Sequence, residues 1–250
     1  MRSKAWKEKA ARIVFSSASS TAILIVLLIF LFLFKEAIPF IKDPGISKLF
    51  GTSWRPVSFQ EESFGIVPLI TGSFLVTILA TIIAVPFGVI GAVYISEVSG
   101  KYEREFLKPF IELLAGIPSV VIGFFGLVVL APFIKAVFGL QSGLTALTGA
   151  LLLALMAIPT IISISEDAIN SVPKTYKEAS FAVGASKLQT IWKVTVPASI
   201  SGITAAVMLG MGRVIGETMA VLMVTGNAAI TTLSPFESVR TMTATIAAEM

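Results

Sequence analysis

The chain has 250 residues, of which 55% are hydrophobic and 14% charged, against about 25% charged in an ordinary soluble domain; a water-soluble enzyme is excluded and an integral membrane protein remains. It holds no Cys and no His, which removes disulfides, thiolate catalysis, the commonest metal ligand and the commonest general base. The net charge of +4 needs no nucleic-acid partner, because an excess of this size is what basic loops on one side of a membrane produce.

Residues 1–12 form a basic tail, with Arg2, Lys4, Lys7, Lys9 and Arg12 against Glu8. Residues 13–34 carry no charge and would make about 33 Å of helix, enough for a first span. A cleaved leader is not expected, since only Lys35-Glu36-Ala37-Ile38-Pro39 follows. Residues 35–65 read as an outer loop broken by Pro39, Pro44, Gly45 and Pro56, with Trp54 suited to a membrane interface.

Residues 66–250 read as one transmembrane domain. Span two runs over Ile66–Tyr94, and the charged stretch Ser96–Lys108 is a cytoplasmic loop. Span three is expected over Pro109–Ile134, with Glu112 at the interface. After a short outer turn, span four runs from Gly143 to Ser163, and Glu166 and Asp167 mark the return to water. Span five follows over Val196–Gly226, with Gly212 and Gly216 as a small-residue packing surface.

Between spans four and five lies an island, residues 173–197, too polar to cross a bilayer. Pro173 suits a helix start, Tyr176, Ala179, Ser180 and Val183 fall on one helical face, and Gly184 is placed to end that helix. Ser186 with Gln189 forms a capping box that opens a second helix running toward Trp192 and ending before Pro197. Polarity alone leaves open an interfacial helix lying on the bilayer. The order Glu178-Ala179-Ser180, Gly184, Val194-Thr195-Val196-Pro197, however, resembles the EAA loop of ABC-importer permeases, with Ser for the third residue and Val at two aliphatic positions. That resemblance implies coupling helices within 173–193 that dock on an ATP-hydrolysing subunit, with Glu178, Ala179, Ser180, Gly184 and Pro197 as the coupling residues.

Assigning loops alternately puts twelve Lys and Arg on the side of the amino terminus and six on the other. The amino terminus and the island are therefore expected in the cytoplasm. The remaining cation, Arg213, lies inside span five, with Glu217 one turn further on and on the same face. Holding a charge at mid-membrane costs from about 2.5 to more than about 10 kcal/mol, so the two should either pair as a structural lock or face a polar path.

Trp54-Arg55-Pro56, Phe64-Gly65-Ile66-Val67-Pro68-Leu69-Ile70-Thr71-Gly72, Gly212-Arg213-Val214-Ile215-Gly216-Glu217-Thr218-Met219-Ala220-Val221, Gly226-Asn227 and Thr241-Met242-Thr243-Ala244 together resemble the PstC family of phosphate-importer permeases more than its sister family PstA. The resemblance implies an all-α polytopic bundle of the type I ABC-importer permease kind. Five spans lie in this sequence, and a sixth, absent here, is expected, as in a truncated piece of such a permease. It further implies a substrate pathway at Arg213 and Glu217, a PstA-like sister permease, an ABC ATPase dimer, an extracytoplasmic phosphate-binding protein and a prokaryotic inner or plasma membrane location.

A guanidinium suits phosphate and sulfate alike; Glu217 could separate them, since only phosphate carries a P–OH at neutral pH. No G-x-x-x-x-G-K-[ST] occurs, so the chain is not expected to be an enzyme or to hold a cofactor, and ATP is used by a partner. A permease for another oxyanion or small solute, a secondary transporter and an intramembrane enzyme are the alternatives. The EAA-like island argues against the carrier, and the lack of G-x-G-D and H-E-x-x-H against the enzyme.

Overall fold

The computed structural model describes residues 2–57 and 62–249. Residues 58–61 of the expected outer loop lie outside them, as do the side chains of Arg2, Lys4, Lys7 and Glu8 in the basic tail.

Helix α1 (Arg2–Phe40) continues past the expected span end at Phe34, because nothing breaks it before Pro39 in its last turn. Its hydroxyls are satisfied locally: Ser17 donates to the Val14 carbonyl and Thr21 to that of Ser17. Its large apolar side chains from Ile13 to Phe34 are all exposed. Two short helical turns then lead to a two-stranded antiparallel pair, β1 (Trp54–Arg55) and β2 (Ser63–Phe64), with Trp54 opposite Phe64. The loop can close this tightly because Gly65 lies on Gly51, where an added Cβ would come within 2.2 Å of backbone. The Trp54 indole N–H donates to the Glu249 carboxylate at 3.0 Å.

The centre of the bundle is three helices, α2 (Val67–Val93), α6 (Ala146–Asn170) and α10 (Ile200–Gly216). Small residues let them approach. Ile161 of α6 sits between Gly88 of α2 and Gly210 of α10, each so close that a Cβ would fall 2.6 Å from the isoleucine. Val76, Ala80, Ala84, Leu152, Leu153 and Ala157 pack in the same cluster. The amino-terminal end of α6 is closed off: the N–H groups of Ala146 and Leu147 donate to the carbonyls of Glu237 and Pro235, and that of Thr148 to the Thr145 hydroxyl.

Span three begins later than the sequence suggests. Pro109 and Glu112 belong to an amphipathic helix α3 (Lys101–Ala115); Gly116 ends it, and Pro118, extended at ψ 135°, starts the next. That next segment, α4 (Ser119–Phe125), a wider turn at Gly126–Leu130 and α5 (Ala131–Phe138), forms one apolar helix of 20 residues. Pro109 lies inside α3, which runs on past it to Ala115, so it is not the boundary of the span.

The island yields α7 (Lys174–Ala182) and α8 (Lys187–Thr190). The chain stays helical through Pro197, in α9 (Val196–Ala198), and breaks at Ser199, where the axis turns by 69° into α10. The expected end before Pro197 is thus displaced by two residues, the proline following directly on the wider turn at Ile191–Thr195. Helix α10 ends at Gly216, and α11 (Met219–Val224) follows after Glu217 and Thr218. The span expected to run unbroken to Gly226 is therefore interrupted. Gly226 (φ 81°) and Asn227 (φ 53°) reverse the chain, Val239 donates back to the Thr225 carbonyl at 3.0 Å, and α12 (Met242–Glu249) completes the fold. Among the described residues four helices are each long and apolar enough to cross a membrane, and a fifth is added where the bent α8–α10 segment counts as one span.

Candidate functional site

Two constellations carry the chemistry, the polar knob at α7–α8 and the interruption of the fifth span. The knob is built by local rules. The Gly184 N–H donates to Phe181 and the Ala185 N–H to Ser180, the double bond of a Schellman motif, with Gly184 at φ 86°. The Ser186 hydroxyl accepts from Gln189 N–H at 3.3 Å, while the Gln189 side chain accepts from Ser186 N–H at 2.9 Å.

The helical face expected to act as one is divided. Tyr176, Glu178, Ala179 and Val183 are exposed, whereas Ser180 is turned inward, its hydroxyl 2.9 Å from that of Thr190, and both residues are buried. The serine that replaces alanine in the EAA-like motif thus fastens α7 to α8. Phe181, Leu188 and Trp192 are also exposed. A groove of about 360 Å³ runs between the two helices past Val183, Gly184, Gln189 and Lys193. Pro197 lies outside this surface, exposed, two residues before the bend.

In the interrupted span, Arg213 and Glu217 do not pair. The helix ends at Gly216, and Glu217 is extended (φ −70°, ψ 133°), so the one-turn spacing no longer places the side chains on a common face. The Arg213 guanidinium donates at 3.2 Å to the Thr160 hydroxyl of α6 and at 3.2 Å to the Ala115 carbonyl. The latter is a free carbonyl at the end of α3. Among the described residues no carboxylate lies within 4 Å of this guanidinium. Glu217 instead accepts from the Ala220 N–H at 3.2 Å in the first turn of α11, and its backbone carbonyl accepts from the Thr243 hydroxyl at 2.8 Å. The space at Gly210 is filled by Ile161, whereas Gly212 and Gly216, expected as a packing surface, have nothing within 4 Å of a would-be Cβ.

One cluster was not anticipated. Glu166, expected to mark water, is 1% exposed. It is clamped by Arg104 and by Lys108 (2.7 Å), both from α3, and by Asn170 (2.7 Å) one turn along its own helix. Asp167, beside it, is exposed and bonds Lys108 at 3.1 Å. The hydrogen bond from Lys108 to Glu166 holds the Lys108 ammonium above its ordinary range, against the opposing effect of burial. Charges at i and i+4 on α3 were visible in the sequence, but their acceptor about 60 residues away was not.

Comparison with known proteins bears on both constellations. Residues 84–248 match the family described as "Binding-protein-dependent transport system inner membrane component". "Probable ABC transporter permease protein YqgH" of Bacillus subtilis is 43% identical over 205 residues, covering 82% of this chain and 66% of that protein. "Phosphate transport system permease protein PstC" of Mesorhizobium japonicum is 35% identical over 224 residues, covering 82% and 68%. A solved structure described as an amino acid ABC transporter with histidines aligns with 66% of this chain and 73% of its own at 21% identity, with a TM-score of 0.49. The chain spans about two thirds of the length of these curated permeases. The matched stretch takes in the knob, the clamped α6 and the interrupted span. On that stretch and those identities, the chain belongs to the binding-protein-dependent inner-membrane component family and is an ABC transporter permease subunit.

Proposed function

We propose that this chain forms one side of the phosphate path of an ATP-driven importer. The observation that carries this reading is Arg213, a guanidinium on a membrane helix held by two neutral acceptors and by no carboxylate. A cation at that depth is costly unless an anion visits it, and a planar fork of donors suits a tetrahedral oxyanion. Glu217, just beyond the helix end, supplies an acceptor for the proton that phosphate keeps and sulfate lacks. The 34–35% identity to three PstC permeases supports phosphate over other oxyanions.

In this reading the basic amino-terminal tail and the knob face the cytoplasm. The exposed surface around Glu178, Ala179 and Gly184 seats an ABC ATPase dimer, which supplies the ATP chemistry. A PstA-like sister permease completes the path, and an extracytoplasmic phosphate-binding protein delivers the solute in a prokaryotic inner membrane.

The test is uptake of labelled phosphate and of labelled sulfate by cells carrying the complete complex. Arg213→Lys keeps the charge and loses the fork, so phosphate uptake should fall by about 10-fold or more while the complex still assembles. Arg213→Ala with Glu217→Ala should assemble and carry no phosphate. Normal uptake by the double variant would remove Arg213 from the path.

A further inference from the structure

We propose that Glu97 and Lys177 form a strut that carries the push of the ATPase from the knob into α2, which makes both of them positioning residues for coupling. The proposal rests on reading residues 173–193 as the coupling loop. Lys177 is the one charge of the knob that turns back toward the bundle. Lys174, Glu178, Lys187 and Lys193 are exposed, whereas the Lys177 ammonium meets the Glu97 carboxylate, with side chains 25% and 10% exposed. Among the described residues it is the only ion pair between the knob and another element.

The seat of Glu97 is built for this partner. It lies in a wider, π-type turn, Tyr94–Val98, that continues α2. The Ser96 and Ser99 hydroxyls occupy the carbonyls of Ala92 and Ile95 there, at 2.8 and 2.7 Å. Such turns reset the direction in which a helix presents its side chains and recur at working sites. Beneath the pair, Val93 and Ile95 of this segment pack in one cluster with Ile169 of α6, Ile191 just after α8 and Ile203 of α10. The strut therefore spans a joint that is already greased with apolar contacts and held by one polar tie.

Above the joint, α2 continues as one helix through Pro86. Gly88 is locked on Ile161, and Gly72 lies against the Arg240 backbone, where a Cβ would come within 2.5 Å of the carbonyl. From Glu97 to Gly72 is about 38 Å of helix. A displacement of α7 thus moves the far end of the membrane domain, beside the segment that returns from α11 to α12, without passing through the bend at Ser199. Removing either partner leaves a largely buried charge alone and disconnects α7 from α2.

The experiment uses the whole complex in proteoliposomes, reading uptake per ATP hydrolysed together with the amount of ATPase that co-purifies. Glu97→Gln and Lys177→Met should retain the ATPase and continue hydrolysis while uptake per ATP falls by about fivefold or more. Lys177→Arg should keep the wild-type ratio, and the charge exchange Glu97→Lys with Lys177→Glu should recover most of it. Unchanged uptake per ATP in both single variants would overturn the strut. So would a parallel loss of assembly and uptake, with a normal ratio in the protein that survives, since that is the mark of a purely structural pair. If the wild-type complex carries a different oxyanion, the phosphate assignment falls, and uptake of that oxyanion per ATP tests the strut unchanged.

Discussion

Helices α1 and α6 are both long and apolar, yet none of the apolar stretch of α1 is buried within the chain, whereas 56% of that of α6 is. The difference lies in side-chain size. From Ile23 to Phe34, α1 is made of bulky residues on every side; α6 sets Ala146, Gly149, Ala150, Ala154 and Ala157 among Leu152, Leu153 and Ile161. In lipid, burying a leucine against protein gains little over leaving it in the bilayer, so hydropathy marks a span and small residues mark a core.

The strongest way to break this contrast is to put bulk where α2 meets α6. Gly88→Leu collides with Ile161 and should destabilise the bundle by about 3 kcal/mol, the upper part of the overpacking range. Thermal unfolding in detergent and the size-exclusion profile would show it, and a stable protein would mean that the glycine contact is not a core contact.

Glu166→Gln comes next. It removes the acceptor that Arg104 and Lys108 share, with an expected cost of about 2–3 kcal/mol. That is less than a fully enclosed pair would lose, because the two cations are 39% and 36% exposed. The pH dependence has a definite sign. The Lys108 pKa is raised above 10.5 in the folded protein, so its contribution is complete below that pH and fades as pH climbs through the raised value. The stability gap between wild type and Glu166→Gln should stay level from about pH 6 to 9 and narrow in strong alkali.

Ser180→Ala should cost about 1 kcal/mol, because it strands the Thr190 hydroxyl inside the knob; adding Thr190→Val should recover most of that loss in a double-mutant cycle. Smallest of all, Ile25→Ala with Leu28→Ala on α1 should change bundle stability by less than about 0.5 kcal/mol. A larger effect in the assembled complex than in the isolated chain would identify a neighbour that covers α1.

The same contrast explains what the sequence discloses. The knob was legible almost atom by atom, since a Schellman glycine and a capping box each complete their bonds within a few residues. The order of spans was legible from long uncharged runs. The break at Ser199 was read two residues early, at Pro197, and the break at Glu217 was not read at all, because Gly216 reads equally as a packing residue. The burial of Glu166 was invisible for another reason. Its partners belong to α3, and only the climb of α3 along α6 brings them together. Arg213 stood out in the sequence as a lone cation in an apolar run, but its partners, Thr160 and Ala115, are supplied by two other helices.

The closed end of α6 has an electrostatic consequence for any anion that approaches it. An exposed helix start offers converging N–H groups and the positive pole of the helix dipole, a ready anion trap. Here the carbonyls of Pro235 and Glu237 and the Thr145 hydroxyl already occupy the N–H groups of Leu147, Ala146 and Thr148. The most deeply buried helix of the bundle thus presents no attractive mouth at its amino-terminal end. An anion that approaches this end finds those three amide donors already engaged and no converging set of free N–H groups to hold it.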